Sequence, residues 1–116
     1  MSDTLEEAQR QLNAVRRDFE ARLGSMVDEI VLAWEAAKGS SDQTVRMRNL
    51  IELVHRLAGN AGFFGFHEVS RTAMNLETAL DRRLAATAFD RNDIQDLSRL
   101  VRTLQTQSGA CTSDGA

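Results

Sequence analysis

The sequence lacks proline, the strongest helix breaker, and has no segment with the pattern of a β-strand. Its 116 residues include no proline and no tyrosine. β-Branched residues are scattered, and no segment alternates apolar and polar side chains over several residues, so strands have little support. No apolar run approaches the roughly 20 residues that span a bilayer. We therefore predict a helical protein that does not interact with a membrane.

The low cysteine content and the acidic N-terminus also indicate a cellular compartment. The single cysteine, Cys111, has no second cysteine with which to form an internal disulfide, which is typical of a reducing compartment. The first residues are acidic and lack the apolar segment of a secretory signal. We therefore expect a cytoplasmic location. The net charge of −3 argues against a nucleic-acid partner.

Apolar residues recur at spacings of three and four along nearly the whole chain, which indicates amphipathic helices. The pattern predicts helices over about 5–38, 43–61, 66–86 and 90–107. Short loops favour antiparallel neighbours, so we predict an all-α, up-down antiparallel four-helix bundle with an N-terminal helical extension. Residues 1–107 form the single domain, and residues 108–116 are expected to be a disordered tail.

The sequence pattern does not determine where the N-terminal segment lies relative to the bundle. Thr4 and Glu7 fit a capping box, which predicts a helix start just after Thr4. One long helix and two helices meeting near Gly24 are both compatible with the pattern. Residues 5–23 either fold over one end of the bundle or pair with another copy, and a homodimer through residues 5–37 is the second prediction. The seven-residue repeat behind it consists of Leu5, Leu12, Phe19 and Met26.

The second predicted helix carries a histidine, His55, beside its apolar stripe rather than on it. The stripe consists of Met47, Leu50, Val54, Leu57 and Ala61. A ring at position 55 would have a packed base and a wet tip. Gly59, one turn later, leaves space beside the ring at a cost of about 1 kcal/mol relative to alanine. Two interpretations remain open: a structural histidine satisfied by a backbone or carboxylate partner, and an exposed nucleophile or metal ligand.

A working nucleophile needs a carboxylate to hold one ring N–H, and a cation nearby. Glu77 is the leading carboxylate, because an antiparallel third helix places it within about one turn of the level of His55. The candidate cations are Arg56 and Arg48, together with Arg82 and Arg83 just beyond Glu77. Each of these charged residues is equally compatible with a solvated helix surface. His67 falls on the other side of the turn and no cysteine assists, so we predict no metal site.

Three phenylalanines lie at the turn between the second and third helices. Phe63, Phe64 and Phe66 are expected to close the core there. The alternative is that one of them, or Ile51, belongs to an apolar ring on which a partner helix docks.

The segment from His55 to Gly65, followed by a Leu76–Glu77 pair one helix later, resembles the histidine-containing phosphotransfer (HPt) family. The shared signature is His-x-Leu-x-Gly-x-(Ser/Ala), a glycine ten residues after the histidine, and the Leu-Glu pair. The resemblance covers about residues 12–105. It implies a four-helix bundle with an exposed histidine that is phosphorylated at Nε2.

By this resemblance, His55 is the phosphoacceptor, Glu77 bonds the ring or the phosphoryl group, and Gly59 admits a receiver domain. Many members carry lysine where this chain has Ala58, and Arg56 is the residue expected to supply that charge. We expect the docking surface to consist of Arg48, Ile51, Glu52, Ala58, Gly59 and Gly62.

The resemblance implies a phosphorelay intermediate without a kinase site of its own. His55 would accept a phosphoryl group from a receiver-domain aspartate and pass it to another receiver. The partners would be receiver domains of response regulators and hybrid histidine kinases. We expect no cofactor on this chain, with Mg²⁺ supplied by the receiver. The alternative functions are a non-phosphorylated helical adaptor that binds a receiver or kinase, and an oligomerisation module.

Overall fold

The computed structural model describes residues 2–38, 43–85 and 91–112, almost entirely as helix. Helix α1 spans Ser2–Lys38, α2 spans Gln43–Phe63, α3 spans His67–Ala85 and α4 spans Arg91–Thr112. Within these ranges there is no strand, and only residues 64–66 lie outside a helix. The all-α prediction is confirmed.

Each helix packs against two others, in the cyclic order α1, α2, α3, α4. The ring of Phe19 stacks on that of Phe64, just past the end of α2, with centroids 5.0 Å apart. Near the other end of α1, the indole N–H of Trp34 donates to Ser98 Oγ at 3.2 Å, early in α4. These contacts require neighbouring helices to run in opposite directions, so the predicted up-down antiparallel bundle is confirmed.

The predicted apolar stripes meet in one core. All five stripe residues of α2 are buried, and they pack with apolar side chains from the other three helices around Trp34. Because each helix buries one face and exposes the other, His55 stays outside the core although its neighbour Val54 is fully buried. None of the described helices has a segment both long enough and apolar enough to cross a bilayer.

Helix α1 is continuous through Gly24 and projects beyond the bundle. No side chain from residue 3 to residue 18 is buried, whereas the stripe enters the core at Phe19. The prediction that residues 5–23 fold over one end of the bundle is therefore wrong. An unbroken helix cannot turn back, and it makes the molecule 59 Å long. The homodimer through residues 5–37 stays a prediction. The stripe from Phe19 onward is covered by this chain's own bundle, so only the part before Phe19 is open to a partner on that face.

Two predicted helix limits differ from the structure. Helix α1 begins at Ser2, so Thr4 lies inside it and is not a cap. Helix α4 continues to Thr112, so a disordered tail starting at 108 is wrong for residues 108–112. Ser108 is buried four residues after Leu104, and its hydroxyl donates to the Gln105 carbonyl at 3.0 Å. Asp90 and residues 113–116 lie outside the described residues.

The turn from α2 to α3 is a Schellman motif. The Phe66 N–H donates to the Ala61 carbonyl at 2.8 Å, and the Gly65 N–H donates to the Gly62 carbonyl at 3.2 Å. Gly65 has φ +86°, a conformation in which a side chain would be strained. This tight turn fixes the level at which α3 passes α2, and hence which residues face each other across the two helices.

Candidate functional site

His55 stands on the outer side of α2, with 75% of its side chain exposed. Leu57 and Val54, its near neighbours in sequence, are fully buried. The backbone at this position is therefore anchored by the core while the imidazole is accessible. A reagent or a partner protein can reach the ring without any movement of the bundle.

Glu77 on α3 holds the ring. Its Oε2 lies 2.7 Å from His55 Nδ1, and 24% of its side chain is exposed. A carboxylate only accepts hydrogen bonds, so this contact requires the proton on Nδ1. In the neutral imidazole, the lone pair is then on Nε2, on the far side of the ring from Glu77. The arrangement presents an oriented nucleophilic nitrogen to solvent.

Two glycines that follow His55 have different surroundings. A Cβ added at Gly59 would meet nothing within 4 Å, so this glycine borders open space one turn past the ring. A Cβ at Gly62 would lie 3.1 Å from Ser70 Oγ, so this glycine allows α3 to approach α2 closely. Gly59 thus opens the surface beside His55, whereas Gly62 has a packing role.

Ala58 does not lie on the predicted docking surface. It is only 7% exposed and belongs to the core. Its carbonyl accepts a hydrogen bond from Ser70 Oγ at 2.8 Å. The prediction that Ala58 contacts a partner is therefore wrong. The periodicity of α2 alone could not show this, because α3 covers the flank on which position 58 lies.

Among the candidate cations, Arg56 has a partner away from the ring. Its Nη2 lies 3.4 Å from Glu52 Oε1, one turn earlier on α2, and both side chains are largely exposed. A surface pair of this kind contributes little stability. Arg48 is exposed two turns before His55, and Ile51 is half-buried between them. The structure thus brings His55 and Glu77 into contact but directs Arg56 toward Glu52.

Three residues at this surface were missed or misjudged. Ser70 joins α3 to the α2 backbone, and the only signal for it in the sequence is a small polar residue opposite a glycine-rich segment. Phe63 is 76% exposed, one turn past Gly59, so the prediction that it closes the core is wrong, and the alternative that it belongs to an apolar docking ring stays a prediction. Met74 is also exposed, one turn before Glu77. Phe63 and Met74 thus expose apolar side chains on the two helices that carry His55 and Glu77, and the Phe63 ring contacts that of Phe64 with centroids 5.0 Å apart.

The other phenylalanines of the turn do close the bundle. Phe64 and Phe66 are half-buried, with ring centroids 5.0 Å and 5.6 Å from that of Phe19. The Arg16 guanidinium lies 5.2 Å from the Phe66 ring centroid, which ties α1 to the turn. Among the described residues, no three His, Cys, Asp or Glu side chains cluster as metal ligands would.

Comparison with known proteins agrees with this geometry. The family model for the Hpt domain matches residues 1–110. The chain therefore belongs to the Hpt domain family, whose members are phosphocarriers rather than kinases in two-component phosphorelays and interact with receiver domains. No curated protein and no solved structure matches the chain.

Proposed function

We propose that this protein is a phosphorelay intermediate in which His55 Nε2 accepts a phosphoryl group from a receiver-domain aspartate and passes it to another receiver. The observation that carries the proposal is the 2.7 Å contact between Glu77 Oε2 and Nδ1 of an imidazole that is 75% exposed. A structural histidine would not need its second nitrogen in solvent. A nucleophile needs both this orientation and this access.

The transfer step balances without any further reagent. Nε2 attacks the phosphorus of the acyl phosphate, an N–P bond forms, and the bond from phosphorus to the aspartate oxygen breaks. The aspartate leaves as a carboxylate and takes no proton. The ring keeps its Nδ1 proton and becomes cationic, so the Glu77 carboxylate opposite Nδ1 stabilises the product. In the reverse direction, the neutral imidazole is the leaving group.

Docking on this surface combines open space with apolar contacts. Gly59 leaves a gap beside the ring, and Phe63 and Met74 supply exposed apolar area near it. We propose that a receiver covers this surface and brings its aspartate in line with Nε2. The receiver also supplies the Mg²⁺ and basic side chain that neutralise the phosphoryl charge. Arg48, Ile51 and Glu52 extend the same surface along α2.

Phosphotransfer profiling against the receiver domains of the same cell tests the proposal. Each receiver is loaded with labelled phosphate and mixed with this protein. We expect rapid transfer from at least one receiver to this chain, in a form that is labile to acid and stable to alkali. His55→Gln should abolish the label completely.

The chain offers a matched control, because its other histidine, His67, is also exposed at the surface. His67→Gln should be labelled like the unmodified protein. Label retained in His55→Gln, or lost in His67→Gln, would contradict the assignment. Receiver binding without labelling by any receiver would overturn the relay in favour of an adaptor.

A further inference from the structure

The projecting part of α1, residues 3–18, exposes an apolar stripe that no part of the described chain covers. Leu5, Leu12 and Val15 are exposed large apolar side chains, and Ala8 lies on the same row. The row continues without a break into Phe19, where the core begins. This helix needs no separate nucleation, because its C-terminal half is already held in the bundle.

The stripe is self-complementary when two copies lie antiparallel. If Leu5 of one copy lies level with Val15 of the other, then Ala8 lies level with Leu12. The two-fold axis repeats both layers. Four apolar layers result, in the alternating positions used by two-stranded coiled coils. This is an isologous interface, which closes after two subunits.

The distribution of charge along residues 3–18 also favours antiparallel copies. Residues 3–9 carry three acidic side chains and no basic one, whereas residues 10–18 carry Arg10, Arg16, Arg17 and one acidic residue, Asp18. Glu7 pairs with Arg10 and Asp18 with Arg22 within the chain, so the net charge of each half favours this direction, and not individual ion pairs between copies. Antiparallel copies place the acidic end of one beside the basic end of the other, whereas parallel copies place like charges side by side.

Packing of the bundle excludes the parallel direction over this stripe. From Phe19 onward, the row is covered by the chain's own α2, α3 and α4. A parallel partner lying on residues 5–15 would have its own bundle in the space that these helices occupy. An antiparallel partner has its bundle at the opposite end, about 25 Å beyond the first bundle.

We propose that two copies of this chain form an antiparallel homodimer through residues 3–18 of α1. The two His55 surfaces then lie in separate bundles at opposite ends of an elongated particle. The proposal does not depend on phosphotransfer, because His55 is outside the interface.

Sedimentation velocity over a range of protein concentrations tests the association. We expect the full chain to show a concentration-dependent monomer–dimer equilibrium. Leu12→Glu places a charge in a central layer twice per dimer and should raise the dimer dissociation constant by at least about 100-fold. The matched control is Ala14→Glu, which adds the same charge on the outer side of the same helix and should change that constant by less than about threefold.

A monomer at every concentration would overturn the proposal, as would equal association of the Leu12→Glu and Ala14→Glu variants. Circular dichroism of the two variants checks that the helix is intact. His55→Gln should dimerise like the unmodified protein, so the failure of phosphotransfer and the failure of dimerisation are separate results.

Distance measurement decides the direction of pairing. Glu29 is exposed on the bundle part of α1 and accepts a spin label as Glu29→Cys, with Cys111→Ser removing the natural cysteine. In the antiparallel register, the two labels should lie about 55 Å apart at 1.5 Å per residue. A dominant separation below about 30 Å, as adjacent parallel helices would give, would overturn this geometry.

Discussion

The His55 surface and the projecting part of α1 both present side chains to solvent, but they are supported in different ways. Around His55, the exposed ring is held by Glu77, and the backbone beneath it is joined to α3 through the Ser70 hydroxyl. On residues 3–18, the exposed apolar row has no partner within the described chain.

This difference shows that exposure alone does not define a site. The orientation of His55 is determined inside one chain, so it exists before any partner arrives. The apolar row on α1 lies along one unbroken helix, and nothing in residues 2–38, 43–85 and 91–112 covers it. Substitutions should therefore separate the two regions by what they change: phosphotransfer in one, association in the other.

The largest expected effect is on the free energy of unfolding. It tests whether the bundle part of α1 is buried and the projecting part is exposed. Leu23→Ala removes a fully buried side chain and should lower the free energy of unfolding by about 2–5 kcal/mol. Leu12→Ala removes an exposed side chain and should change it by less than about 0.5 kcal/mol. Urea unfolding at low protein concentration, where the chain is monomeric, measures both. Equal losses would mean that position 12 is buried within the monomer.

A smaller effect with opposite signs should distinguish the two glycines of α2. Gly59→Gln replaces glycine in open space, so it should raise the free energy of unfolding by about 0.5–1 kcal/mol. The same change should slow transfer from a receiver by about 10-fold or more, because it fills the gap beside His55.

Gly62→Gln is the matched change one turn later. It should lower the free energy of unfolding by about 1–3 kcal/mol, because its Cβ meets Ser70 Oγ. Urea titrations and single-turnover transfer assays measure the pair. Unchanged transfer in Gly59→Gln would remove this position from the docking surface.

The smallest effect concerns how Glu77 acts. Glu77→Gln keeps an acceptor for the Nδ1 proton but loses the charge, and we expect transfer to slow by a few-fold. Glu77→Ala loses both and should slow transfer by about 10-fold. The ¹⁵N chemical shifts of the His55 ring should report a mixture of tautomers in Glu77→Ala and mainly the Nδ1–H form in Glu77→Gln. An unchanged rate and tautomer in Glu77→Ala would show that Glu77 does not orient the ring.

Much of the fold could be predicted because helical periodicity records which side of each helix is apolar. The α2 stripe is buried throughout, and Glu77 reaches His55 as the antiparallel arrangement required. The predictions of burial were wrong at positions where packing against another helix determines whether a side chain is exposed. Ala58 is followed directly by the exposed Gly59, yet α3 covers Ala58. Phe63 is apolar, yet it points away from the core.

By itself, the sequence determined the number of helices, their apolar faces and the exposed position of His55, because these depend on spacing along one chain. Only the tertiary structure decided that Gly59 is open and Gly62 is packed, that Arg56 turns toward Glu52, and that α1 runs straight past the bundle. Those features depend on distances between atoms far apart in sequence, and a one-dimensional pattern does not contain those distances.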